Sequence, residues 1–188
     1  RANPALAAGR RRGVLFDVGH GGGSFAWRVA VPIVEEGFLP DTLSTDLHAG
    51  SANGGMKDML NVMSKFLALG LPLDDVVLRS TWNPARMIRQ EHLGNLSVGS
   101  PADLAVLRLE EGDFGFLDGY GARLKGTRKL TCEMTLRDGR VLYDLNGLGR
   151  PDWTTLPKNY RSTGDPRWDG VRGSNGVRSS TPPPRPQP

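Results

Sequence analysis

Between Gly13 and Asp46 the chain runs through two short apolar stretches, and each closes on a polar side chain. Val14–Val18 leads to His20 inside a glycine cluster; Thr42–Thr45 leads to Asp46, followed at once by Leu47 and His48. About one helix of chain joins them. A compact apolar run of this kind fits a buried parallel strand, interrupted here only by Asp17. Strand, polar residue, helix, strand, polar residue is the order in which an α/β barrel assembles an active site at the carboxyl ends of its strands. On that reading Asp46 and His20 face one cleft, and the chain supplies only part of it.

The flanking segments extend the pattern. Ala2–Arg12 reads as a short helix with Arg10–Arg12 at its carboxyl end, where cations suit the dipole. Ser24 is a candidate N-cap for a helix running to about Glu36, kinked by Pro32. After a glycine-rich stretch at 50–55, taken as flexible, Met56, Met59, Leu60, Met63, Phe66 and Leu67 recur at helical spacing and read as a core face. Asp74 and Asp75 start another short helix, and Asn83 with Pro84 is expected to cap and start a third. The character then changes near residue 95. Ala102–Leu109, Leu130–Leu136 and Val141–Tyr143 read as strands, the last two joined at Asp138-Gly139, a strong hairpin signal.

The domains expected are therefore a barrel portion over residues 1–94, part of a small β-sandwich over 95–150, and an extended tail over 151–188, disordered by composition. Composition narrows the function classes. The net charge of +4 lies in the segment from Arg150 onward, because residues 1–149 carry equal numbers of basic and acidic side chains. No clustered basic stripe supports a nucleic-acid partner, and no apolar run is long enough to span a membrane. Cys132 is the only cysteine, which excludes an internal disulfide and a cysteine-based zinc site. The chain starts at Arg1 and is read as entering mid-protein; the compartment is left open, the cytoplasm being favoured.

A carboxylate at the end of a buried strand is costly unless a cation or a hydrogen-bond network holds it. Asp46 thus reads as a metal ligand, a general base or both, against the plainer reading of a turn or capping aspartate. The glycines around His20 let a backbone approach a ligand closely. Gly19-x-Gly21-x-x-Ser24 lacks the third glycine of a dinucleotide fingerprint. His20-Gly21-Gly22-Gly23 matches the oxyanion loop of serine esterases, but the nucleophile elbow those enzymes need is absent. His48 either lines the site or caps the next loop, and His92 reads as solvent-exposed.

Five segments in order, VLFDVGHGGG (14–23), PDTLSTDLH (40–48), TWNPA (81–85), GSPADL (99–104) and LTCEMTLRDGRVLYDLNG (130–147), resemble the amidohydrolase superfamily. The closest likeness is to its deacetylase-like metallohydrolase branch, related to dihydroorotases and D-aminoacylases. The resemblance implies an α/β fold: the last two βα units of a (β/α)8 barrel plus part of an antiparallel β-sandwich. It implies a hydrolase in which one or two divalent ions, zinc being expected, activate water against a C–N amide or ester bond of a small acylated substrate. Asp46 matches the family's metal-binding, proton-shuttling aspartate, and His20, Gly21, Gly22 and His48 would line the substrate pocket. A homo-oligomeric full-length form is among the expectations.

The same resemblance implies that most ligands lie elsewhere. The family's His-x-His pair, bridging carboxylated lysine and two further histidines precede the seventh strand, and none is present here. The expectation is a C-terminal portion, inactive alone. The alternatives are a non-catalytic binding or assembly module built on the same elements and, less favoured, a serine esterase.

Overall fold

The computed structural model describes residues 3–156; the disorder expected of the tail falls almost wholly outside them. The chain divides into two compact units at Leu148/Gly149. In the second, the described part holds a single 3₁₀ turn, Trp153–Thr155, started by Asp152, which accepts from the Thr154 N–H at 2.8 Å. All that follows concerns the first unit.

Helix α1 (Pro4–Arg11) has its N-cap at Asn3, which accepts from the Ala5 N–H at 2.9 Å, and proline at its first position. Arg10 and Arg11 fill its last turn, as expected. Strand β1 is Asp17–Gly19 and pairs in parallel with β2 (Thr42–Ser44), with Asp17 opposite Thr42 and Gly19 opposite Ser44. It is shorter and less covered than the apolar run suggested: Val14 and Leu15 are 45% and 53% exposed. Among the described residues the parallel sheet has only these two strands, so nothing covers the run's first half. Asp41 ties the strand entrances together, accepting from the Phe16 N–H at 2.8 Å and pairing with Arg10 at 3.3 Å.

Helix α2 (Trp27–Glu35) follows β1 and contains Pro32. Ser24 is not its N-cap. Ala26 holds that position without a side-chain bond, and the Trp27 N–H donates instead to Asp118 Oδ2 at 3.1 Å, a cap supplied from far along the chain. Helix α3 (Met59–Ala68) starts at Asp58, which accepts from the Asn61 N–H at 2.7 Å. Helix α4 (Leu73–Ser80) carries Asp74 and Asp75 in its first turn, where anions suit the dipole. Helix α5 spans Trp82–Met87. Asn83 lies inside α5 rather than capping it; its amide donates to the Asp41 carbonyl at 2.8 Å and ties the helix to the start of β2.

The antiparallel sheet has the order β3 (Leu104–Leu117), β4 (Arg123–Arg137), β5 (Arg140–Asp144). Its β4–β5 turn is Asp138-Gly139, both at positive φ (49° and 73°), as a two-residue hairpin with right-handed strand twist requires. The β3–β4 hairpin runs much further than expected, to Leu117 opposite Arg123, through irregularities at Val106/Leu107 and Glu111/Phe114.

Helix α3 is the hub of the core. Val62, Met63, Phe66 and Leu67 pack with Phe25, Trp27, Leu43, Met56, Phe116 and Leu130, so the methionine-bearing stripe is a core face. Each fully buried large side chain contributes on the order of 1.5–3 kcal/mol. One polar bond fixes the register of helix on sheet: the Leu130 N–H donates to Ser64 Oγ at 2.9 Å. No helix among the described residues is long and apolar enough to cross a membrane.

Candidate active site

Partners in a parallel pair face the same way, so Val18 and Leu43 turn toward the helices, where Leu43 is buried in the core. Asp17, Gly19, Thr42 and Ser44 share the other face. There Asp17, the residue that breaks the apolar run, accepts from Thr42 Oγ1 at 2.6 Å and from Ser44 Oγ at 2.5 Å. It pins the two strands together.

Two residues beyond Ser44 the chain turns at Asp46, whose φ of +48° is a conformation aspartate tolerates better than most residues. Its side chain lies against the glycine loop. A Cβ added at Gly21 would fall 2.6 Å from Asp46 Oδ2, and one at Gly19 would fall 3.2 Å from Asp46 Cβ. Gly21 is also at positive φ, +49°. The close approach and the positive φ both favour glycine there. The Asp46 side chain is exposed, and no donor among the described residues pairs with its carboxylate. A carboxylate so placed is available to accept a proton or to ligate a cation.

His48 approaches the same loop. A Cβ at Gly22 would sit 3.9 Å from His48 Nε2, and His48 Nδ1 accepts from the Gly50 N–H at 3.1 Å. Its backbone N–H donates to Ser51 Oγ at 3.0 Å, while its carbonyl accepts from the N–H groups of Ser51 and Ala52. The glycine-rich stretch at 50–55 is thus a hydrogen-bonded turn around a buried serine rather than a free loop.

His20 differs from the expectation. It is fully buried behind the glycine loop, its ring stacked on Phe25 with centroids 4.6 Å apart, and it does not line the open face where Asp46 stands. Both ring nitrogens are engaged. Nδ1 lies 3.0 Å from the Gly21 carbonyl oxygen and Nε2 lies 2.7 Å from Lys65 Nζ. Burial, partly opposed by the bond to the Gly21 carbonyl, lowers its pKa below 6.5, so it is neutral at pH 7. The physical reason for its placement is the alternation of the strand: Gly19 faces Asp46, so the next side chain turns toward the helices. His92 lies in an exposed 3₁₀ turn, as expected.

The loop is also supported from the β3–β4 turn. Tyr120 Oη donates to the Gly23 carbonyl at 2.9 Å, the Gly119 N–H donates to the Phe25 carbonyl at 2.9 Å, and Trp27 Nε1 donates to the Phe116 carbonyl at 3.0 Å. Asp118 is buried and accepts from the N–H groups of Trp27, Tyr120 and Ala122. Burial would raise its carboxyl, but these three donors and the Lys65 charge outweigh that and hold it below the usual range. Lys65, Asp118 and Tyr120 are therefore parts of the site's scaffold that sequence reading did not find. Only the lysine left a signal, a lone charge inside an apolar helical stripe.

A parallel strand pair ends in an exposed carboxylate beside a glycine loop, backed by helices and joined to an antiparallel sheet, which is the arrangement found at the carboxyl ends of α/β-barrel strands. The sequence pattern of the amidohydrolase family matches residues 27–142, and the chain belongs to that family. A deacetylase of Brucella anthropi is 39% identical over 109 residues, which cover 58% of this chain and 27% of that protein. A deacetylase of Agrobacterium fabrum is 41% identical over 115 residues, covering 60% and 28%. The chain thus spans little more than a quarter of the length of these relatives. Among solved structures, a dihydroorotase aligns with a TM-score of 0.66 at 35% identity, and an adenine deaminase with 0.69 at 27%; each covers 73% of this chain and 38% of the other. The fold is the end of an amidohydrolase barrel with its antiparallel sheet.

The family uses divalent metal ions. The donors described here do not make a site for one. No group of three or more His, Cys, Asp or Glu among the described residues could hold a metal, both nitrogens of His20 are spent, and Asp46 fits one ligand position of the three or four a metal requires.

Proposed function

We propose that this chain is part of a hydrolase that cleaves the C–N amide bond, or an ester bond, of a small acylated substrate. The observation that carries the proposal is Asp46: an exposed carboxylate with no hydrogen-bond donor among the described residues, at the carboxyl end of β2, set against the glycine loop at Gly19–Gly21. When bound, a divalent ion, zinc in this proposal, supplies Lewis acidity and lowers the pKa of water. The residues of this chain do the rest of the local work. Asp46 takes a proton from the attacking water and returns it to the leaving nitrogen. Gly21 and Gly22 leave room for a substrate backbone or carbonyl close to that carboxylate, and the His48 ring beside Gly22 contacts the substrate. The chain alone is inactive in this proposal, since Asp46 is one ligand and a catalytic metal takes three from the protein.

The test has two arms. The 188-residue chain with added zinc should show no turnover of acyl-amide substrates; turnover that disappears in Asp46→Asn would overturn its inactivity. A chimera in which this chain replaces the corresponding segment of the Agrobacterium fabrum deacetylase should hydrolyse that enzyme's substrate. In it Asp46→Asn should lower kcat by about 10²–10⁴-fold, the usual weight of general acid–base catalysis. An unchanged kcat would remove Asp46 from the mechanism.

A further inference from the structure

Lys65 is the one lysine completely withdrawn from water among the described residues, and the chemistry assigned to Asp46 makes no use of it. It lies in the core face of α3, between Ser64 and Phe66, where a methionine or leucine would avoid the cost of burying an amine. Desolvation pulls its pKa down to about 8, with the Asp118 carboxylate the main opposing influence. A buried amine needs hydrogen-bond partners to offset its desolvation. Lys65 has two: Nζ donates to the Gly55 carbonyl at 2.6 Å and to His20 Nε2 at 2.7 Å.

The Gly21 carbonyl can only accept, so Nδ1, 3.0 Å away, carries the ring hydrogen, and Nε2 of the neutral ring keeps the lone pair to which Lys65 donates. The other end of the same residue is held as well, because the Gly21 N–H donates to the Thr45 carbonyl at 2.8 Å, one residue before Asp46. Gly21 is therefore gripped at its N–H by the end of β2 and at its C=O by His20, and a Cβ added to it would fall 2.6 Å from Asp46 Oδ2.

We propose that Lys65 is a positioning residue: through His20, whose Nδ1–H tautomer it supports from Nε2, it holds Gly21 beside Asp46. The clamp stands on the hydrogen bonds alone; its value to the reaction rests on the reading of Asp46 as the proton-carrying carboxylate. Lys65 touches neither substrate nor Asp46. It acts on the surface against which the carboxylate is set, from the opposite side of the glycine loop.

Imidazole ¹⁵N spectra and amide exchange on the 188-residue chain test this without any enzymatic readout. In the wild type, His20 should show protonated Nδ1 and bare Nε2; the Nε2–H tautomer would overturn the proposal. Lys65→Met fills the same space, and it should release the tautomer and speed exchange of the Gly21 amide by about ten-fold or more. Exchange within α3 should stay unchanged. Uniformly faster exchange, or no change at Gly21, would mean that the lysine is only a packing element. His20→Asn retains a donor for the Gly21 carbonyl but, being shorter than the imidazole, places no acceptor where Nε2 meets Lys65. In that background Lys65→Met should add nothing to Gly21 exchange, and an additive effect would overturn the relay through His20. Should Lys65→Met fail to fold, the wild-type tautomer together with His20→Asn still decides. Asp46→Asn should leave the His20 spectrum unaltered, so the clamp and the role of Asp46 fail separately.

Discussion

Asp46 was legible because strand-end position is a one-dimensional property: a polar residue after an apolar run, one helix from a similar run, needs no knowledge of packing. The pairing of Lys65 with His20 was not, because 45 residues separate them and their meeting depends on how α3 lies behind β1. Their burial has a measurable pH signature. Both have pKa values below those of the unfolded chain, so the unfolded state binds more protons and stability rises with pH across each window. For His20 the contribution is complete above pH 6.5 and is lost as pH falls through its lowered folded value. For Lys65 it is complete above pH 10.5 and is lost as pH falls from there to about 8, with Asp118 and Asp58 working against the shift and Lys57 with it. Urea midpoints of the wild type should therefore climb between pH 8 and 10.5. Lys65→Met should flatten that limb and leave the acid limb in place; a climb retained in the variant would refute the assignment.

At the scale of elements, local signals worked where the chemistry is local. The arginines closing α1, the aspartates opening α4 and the Asp138-Gly139 turn all follow from residues within a few positions of one another. They failed where a partner comes from elsewhere. Ser24 looked like the start of α2, yet the helix is capped by Asp118, 91 residues away. The outer half of the β3–β4 hairpin was missed because Glu110–Asp113 does not alternate; a register shift falls there, and cross-strand bonds such as Thr131 to Glu110 at 2.6 Å hold the pairing instead. Asp118 makes the dependence testable. Asp118→Ala would strand the buried N–H of Trp27, a cost of about 1–3 kcal/mol, and would take an acceptor from the N–H groups of Tyr120 and Ala122 in the exposed turn. Chemical denaturation should show a loss of at least that size, and Asp118→Asn, which keeps an acceptor oxygen, should recover part of it. A loss under about 0.5 kcal/mol, as for an ordinary surface change, would mean that the turn does not hold α2.

Taken whole, the first unit has a covered side and a bare one. Helix α3 and the long hairpin bury Phe25, Phe66 and Phe116 almost completely, while β1 and β2 form a sheet of two strands among the described residues, with Val14 and Leu15 in the open ahead of β1. A cleft of about 470 Å³ lined by Phe16, Val29, Ile33 and Phe38 runs beside them. This is the geometry of a barrel edge, and it is why the apolar run from Val14 read as a buried strand: its composition suits neighbours on both sides, and the described residues supply one. An apolar segment beside unpaired backbone is a template for association with another chain. The isolated chain should therefore self-associate, with light-scattering mass rising with concentration. Leu15→Lys, placed on a half-exposed side chain outside the core, should suppress that rise while leaving the melting temperature within the small range of a surface substitution. A chain that stays monomeric at every concentration, or one whose association ignores a lysine at position 15, would show that this edge is not the sticky surface.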